Sequence, residues 1–271
     1  MPYKSILVHV GPQPTSGDAL AVAKQIAHRF DAALIGVAAE SFDVPMSGVE
    51  DSLALATLRE QVEADLDTAS ARFREATEDS GLTTGWIAIP GDPDRVLAVR
   101  ARGADLIVAN RPAKGIGSSM APSLASLVLD SGTPVLVTPS HLHRDLRAER
   151  IVIGWKDTRE SRRAVSDALP FLLEAEHVLV AAICKEARSD EATGLDEIVS
   201  RLERHGIKAE GRLVPRSAKC VGHDLENVAR EAHADLLVLG AYGHSRFREW
   251  ALGGVTEDLI ERSSHHILFS H

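Results

Sequence analysis

The chain has two cysteines in 271 residues, Cys184 and Cys220. Their spacing fits neither a disulfide framework nor a CxxC metal or redox site. No run of 18 apolar residues occurs, and the opening MPYKSILVHV passes into a strand without a signal-peptide pattern. A cytoplasmic protein that does not enter membranes is therefore expected. Basic residues are in deficit, 30 against 39 acidic, for a net charge of −9. That balance argues against a nucleic-acid partner, whose phosphates need a basic face, and disfavours anionic membrane surfaces. Also missing are HExxH and Cys/His metal spacings, a nucleophile elbow, a Walker loop and GxGxxG. Neither an enzyme nor a metal protein is expected.

At 44% hydrophobic and 25% charged residues, the chain can bury one large core or two modest ones. Repeats decide between these. Asp105-Leu106-Ile107-Val108-Ala109 recurs as Asp235-Leu236-Leu237-Val238-Leu239, and Ser5-Ile6-Leu7-Val8-His9-Val10 answers Arg150-Ile151-Val152-Ile153-Gly154-Trp155. Val135-Leu136-Val137 likewise answers His266-Ile267-Leu268. The sequence divides into copies at 1–140 and 147–271, joined by the polar stretch from Pro139 to Asp145.

In the first copy, strands are expected near 5–10, 33–38, 86–89, 105–109 and 134–138. Leu55, Leu58, Val62, Leu66, Ala69, Phe73 and Ala76 recur at helical spacing, so a long helix runs toward Gly81. Asp92-Pro93 supplies an N-cap and a first-turn proline to the next helix. The second copy repeats the pattern with strands near 150–154, 177–183, 208–214, 235–239 and 265–269. Strands alternating with helices predict an α/β fold: two tandem, doubly wound, five-stranded parallel-sheet domains. Both copies end in a short apolar strand whose bare edge pairing would cover. Ligands of such folds sit beyond the carboxyl ends of the strands, where the strand order reverses.

One stretch carries a functional signal. After the buried run Leu236–Leu239 come Gly240, Gly243, then Gly253-Gly254, where a helix begins. Glycines there let backbone amides approach a ligand, and the helix N-terminus adds unpaired donors. Alternatively, they serve only a turn and tight packing. The spacing Gly240-x2-Gly243-x9-Gly253 resembles the nucleotide-binding signature of the universal stress protein (UspA-type) family, and the resemblance extends along the whole chain as a tandem pair. It implies an adenine nucleotide alpha-hydrolase-like fold with the copies packed as a pseudo-dimer. It also implies regulatory binding of ATP or a related adenine nucleotide, with or without Mg²⁺, during a stress response.

The phosphates would fall to Gly240, Gly243, Gly253 and Gly254; Gly254 stands where the family carries Ser or Thr. Arg246, between the glycines, either contacts phosphate or is solvated. The family's Asp after the first strand is Lys156 here, with Asp157 next to it; Asp157 either replaces it or caps the following helix with Glu160, and Lys156 either reaches a phosphate or neutralises Asp157. In the first copy the motif positions hold Asn110, Ala113, Pro122 and Ser123, so that site has lost its glycines, although Gly115 and Gly117 could form a different anion nest. Any ATP hydrolysis should be slow, since no positioned base is evident. The rival reading is an interaction protein of the same fold that no longer binds nucleotide. A homodimer and an unidentified protein partner are the macromolecular contacts left open.

Overall fold

The computed structural model describes residues 2–12, 17–41, 52–111, 122–139, 145–184, 189–242 and 254–271. Tyr3–Thr133 forms one compact unit; Pro134–Pro139 with Arg144–His271 forms a second.

In the first unit, β1 (Ser5–His9), β2 (Ala33–Glu40), β3 (Thr84–Pro90) and β4 (Leu106–Asn110) make a parallel sheet of order β3-β2-β1-β4. The helices are α1 (Gly17–Phe30), α2 (Ser52–Thr77), α3 (Pro93–Arg100), continued by a 3-10 turn Ala101–Gly103, and α4 (Leu124–Asp130). The central strands β1 and β4 are apolar nearly throughout because helices cover both faces. Edge strand β3 is half-buried. Asp92 caps α3 as the Asp-Pro pair predicts, accepting the N–H of Asp94 at 3.1 Å. The long α2 ends at Thr77, four residues before Gly81.

The second unit contains β5 (Val135–Thr138), β6 (Arg150–Trp155), β7 (His177–Cys184), β8 (Ala209–Pro215), β9 (Leu236–Gly240) and β10 (His266–Ser270) in the order β5-β10-β9-β6-β7-β8. Its helices are α5 (Arg159–Asp167), the single turn α6 (Leu169–Leu172), α7 (Ser189–Arg204), α8 (Val221–Glu231) and α9 (Gly254–Arg262). All neighbours are parallel except β5, which lies antiparallel on β10 with Leu136 opposite Leu268. The apolar terminal strands thus pair with each other, as their bare edges predict.

The repeated Asp105 and Asp235 explain themselves here. Asp105 Oδ2 accepts the amides of Lys4 and Ser5 at 2.7 and 2.9 Å, and Asp235 accepts those of Glu149 and Arg150 at 3.1 and 3.4 Å. Each ties the entry of the fourth strand to the entry of the first, satisfying amides that the sheet leaves over.

Candidate functional site

β6 and β9 are neighbours, with Ile151 opposite Leu236 and Gly154 opposite Leu239. The carboxyl ends of the two strands therefore lie side by side, where ligands sit in folds of this kind. After buried Trp155 come exposed Lys156 and Asp157. Of the two roles open to Asp157, capping of α5 falls to Thr158, whose extended backbone lets its hydroxyl accept the Ser161 N–H at 3.3 Å. Asp157 instead accepts Arg162 Nη1 at 2.6 Å. That pair is exposed at both ends and worth at most about 1 kcal/mol, so a ligand could exchange for it at little cost. Glu160 is buried and meets Arg159 Nε at 2.5 Å. Burial pushes its carboxyl up, but the hydrogen bonds from Arg159, the backbone and Thr158 outweigh it and leave it below the usual range.

Gly240 ends β9 directly beneath the first turn of α5. A Cβ there would fall 2.5 Å from Ser161 N and 2.6 Å from the Glu160 carbonyl carbon. Helix–strand approach alone thus requires this glycine. Gly254 differs: it is exposed at the start of α9, with no described residue within 4 Å of where a Cβ would stand. The serine or threonine of the family pattern would fit there without displacing any described residue. Gly243, Arg246 and Gly253 lie outside the described residues.

Tyr242 belongs to no motif position in the sequence. Its backbone is left-handed at φ 54°, uncommon for a bulky side chain. Its hydroxyl is buried without a hydrogen-bond partner among the described residues. Burial first, then the charge of Glu257 in the first turn of α9, pushes the phenol up to about 12. It is a neutral donor held between the end of β9 and the start of α9. The aromatic residue lodged between two motif glycines was the available signal.

The first unit fills the equivalent edge with polar side chains. His9, Glu40 and Arg111, at or just past the ends of β1, β2 and β4, are all buried. Burial holds His9 down at about 4, hence neutral at physiological pH. Burial, then the nearby Asp65 charge, raises Glu40 to about 7, and neither of its carboxyl oxygens has a partner among the described residues. The strand registers put His9 on the face shared by Val37, and Glu40 on the opposite face. Pro122 is buried, and Ser123 Oγ accepts the Ser126 N–H at 3.3 Å as the cap of α4. Ala113 and the stretch 114–119 lie outside the described residues.

The remaining candidates have structural partners. His265 Nδ1 is 2.9 Å from Glu226 Oε1, and His271 Nδ1 is 3.1 Å from the Ala241 carbonyl oxygen. Cys184 is buried; Cys220 Sγ donates to Asp258 Oδ2 at 3.1 Å. Among the described residues no group of three or more His, Cys, Asp or Glu could hold a metal ion, and no helix is long and apolar enough to cross a membrane.

Comparison with solved structures returns the same architecture. A universal stress protein from Archaeoglobus fulgidus DSM 4304 is 14% identical, with 98% of this chain and 95% of that one covered at a TM-score of 0.78. A putative universal stress protein from Pseudomonas aeruginosa UCBPP-PA14 is 18% identical, with 99% and 93% covered at 0.62. A protein of Pseudomonas aeruginosa PAO1 described as functionally unknown is 17% identical, with 99% and 92% covered at 0.59. At such identities the likeness speaks for the fold. No curated protein matches the chain. The model of the universal stress protein family matches twice, at residues 2–139 and 147–270, and the chain belongs to that family as a tandem member.

Proposed function

We propose that this chain is a regulatory nucleotide-binding protein whose second copy takes ATP or a related adenine nucleotide in the crevice between the ends of β6 and β9. The observation carrying this reading is the amino end of α9 at Gly254, where no described residue would meet a Cβ, together with a buried Tyr242 hydroxyl that has no partner among the described residues. A helix N-terminus of nine residues offers unpaired amides and a positive dipole end to a phosphate. Gly253 and Gly243 complete the cradle in this reading, and Lys156, exposed just past the end of β6, is a further phosphate contact in it. Glu257 in the first turn of α9 would repel a bare phosphate. It suits a Mg²⁺-bound one, for which a carboxylate is the usual protein ligand. The reading includes no catalytic residue, so any hydrolysis is slow.

The experiment is calorimetric titration of the full chain with Mg·ATP, alongside Gly253→Val and a melting curve of each protein. Affinity should fall by about tenfold or more with little change in melting temperature, the loss of one or two charge-assisted hydrogen bonds. A lower melting temperature with unchanged affinity would make Gly253 a packing glycine. Absence of Mg·ATP binding to the wild type, with no nucleotide detected by mass spectrometry after denaturation, supports the rival: an interaction protein of this fold without nucleotide. The packing role of Gly240 and the lysine at position 156 favour that rival.

A further inference from the structure

On the α3 face of the first unit's sheet, near the 3-10 turn, lies a cavity of about 360 Å³ lined by Leu7, Ile35, Ile87, Val99, Arg100, Arg102 and Gly103. Leu7 and Ile35 are register partners, and Ile87 is paired with Val37, two residues along, so the three share one face. Val99 is 42% exposed, one of two large apolar side chains so open among the described residues. Arg100 and Arg102 stand at the rim and enter no ion pair among the described residues. Arg102 donates only through Nε, to the Val99 carbonyl oxygen at 2.7 Å. Arg102 also borders a neighbouring hollow that holds Asp92, Asp94 and Asp130, whereas Arg100 lines only the apolar slot.

The second copy provides an internal control. β3 and β8 both span seven residues and end in proline, which places Arg212 where Ile87 stands. Buried Leu97 and Ala101 correspond to buried Leu225 and Ala229, which places Glu231 at Gly103. Arg212 reaches Glu231 at 3.8 Å and Glu210 at 3.7 Å. An ion pair thus spans the position where the first copy has an isoleucine and a residue with no side chain. The same fold is bridged in one copy and open in the other.

We propose that this slot in the first copy binds a small amphipathic anion, an apolar chain or ring carrying a single carboxylate. Leu7, Ile35, Ile87 and Val99 take the apolar body, and Arg100 and Arg102 take the head group, for which a guanidinium fork is well shaped. The volume falls in the range of small-molecule sites, roughly 300–1,000 Å³. The slot is distinct from the crevice at the strand ends and does not depend on nucleotide.

The test is calorimetric titration of the full chain, at low salt, with decanoate below its micellar concentration and with decyltrimethylammonium as the cation of matching length. Decanoate should bind saturably at one site, and the cation should not. Ile87→Arg with Gly103→Glu, which rebuilds the bridge of the second copy, should abolish decanoate binding. Should that pair fail to fold by circular dichroism, Val99→Trp should block the slot instead. Arg100→Gln with Arg102→Gln should weaken decanoate by about tenfold. Equal binding of anion and cation, no saturable binding by the wild type, or decanoate affinity unchanged in a folded blocking variant overturns the proposal. So does concentration-dependent self-association that Val99→Trp removes and decanoate does not affect, which would make the face a contact between copies of this chain.

Discussion

Where β1 runs beside β4, the first copy sets His9 next to Ala109; where β6 runs beside β9, the second sets Gly154 opposite Leu239. A Cβ on Gly154 would run into the Leu239 side chain and approach Leu225 at 3.2 Å. A large residue in one strand is thus matched by a small one in its neighbour, and the two copies have made the choice in opposite senses. Core positions tolerate exchange when total volume is kept. The copies therefore diverge by coupled pairs, and each pair changes chemistry as well as shape. At the carboxyl ends of the matching strands the first copy holds His9, Glu40 and Asn110; the second holds Gly154, one residue before the end of β6, with Cys184 and Gly240.

The largest effect should come from filling Gly240. Gly240→Val drives side-chain atoms into the α5 backbone, which cannot retreat without leaving the sheet, and should cost about 3 kcal/mol or more in urea unfolding. Asn110→Ala, at the matching place in the first copy, should cost about 1 kcal/mol. Comparable losses at both would mean that the edges are packed alike after all.

Coupling within a pair is the next test. Gly154→His alone should be destabilising by about 2–3 kcal/mol, and adding Leu239→Ala should recover part of that loss. The double-mutant cycle should show an interaction of roughly 1–3 kcal/mol. Simple additivity would break the volume-exchange account.

The copies should also respond to pH in opposite directions. Burial raises the Glu226 carboxyl, but hydrogen bonds from His265, Ser264 and Ser263 outweigh it and hold the group at about 2. A depressed carboxyl contributes stability above its unfolded value near 4.5, lost as pH falls from there toward 2. Glu40 is raised to about 7, so its folded form binds the proton more tightly, and stability declines as pH rises from 4.5 to 7. Glu226→Gln should flatten the acid limb of a denaturation profile, and Glu40→Gln the limb approaching neutrality. Each change amounts to about 2–3 kcal/mol at most. An unchanged limb in either variant would remove that carboxyl from the account.

The smallest effect is expected at Gly254→Ser. With no described residue within reach of a Cβ at that position, the substitution should leave the melting temperature within a few degrees, since an N-terminal helix position gains only a few tenths of a kcal/mol over glycine. If the proposed nucleotide site is right, Mg·ATP affinity should rise by a few fold through one added hydrogen bond. A fall in affinity would show that the hydroxyl position is not at the phosphates.

Much of this was legible in the sequence because it rests on periodicity. The apolar runs of β1, β4, β6 and β9 announce strands buried on both faces, and Asp92-Pro93 announces α3. What stayed hidden depends on contacts between residues far apart in the chain. Asp157 and Thr158 are both able caps, and only the backbone angles choose Thr158. Gly240 carries the same letter whether it serves a ligand or the α5 backbone above it. Ile87 and Arg212 look like ordinary edge-strand variation until Gly103 and Glu231 are placed beside them.

The antiparallel seat of β5 on β10 has a consequence for how such a chain arises and persists. A lone copy would leave its last strand to find a matching strand on another molecule, at whatever concentration the cell provides. Carrying both on one chain makes the encounter intramolecular, with an effective concentration in the millimolar range for a short tether. Once the match no longer depends on two identical molecules meeting, selection on identity relaxes, and one copy can trade a glycine for a histidine while the other does not. A cut at residue 146 would restore the old dependence: the fragment 147–271 lacks β5 and should gather into pairs through the edge of β10, at the same concentration at which the full chain does not use that edge.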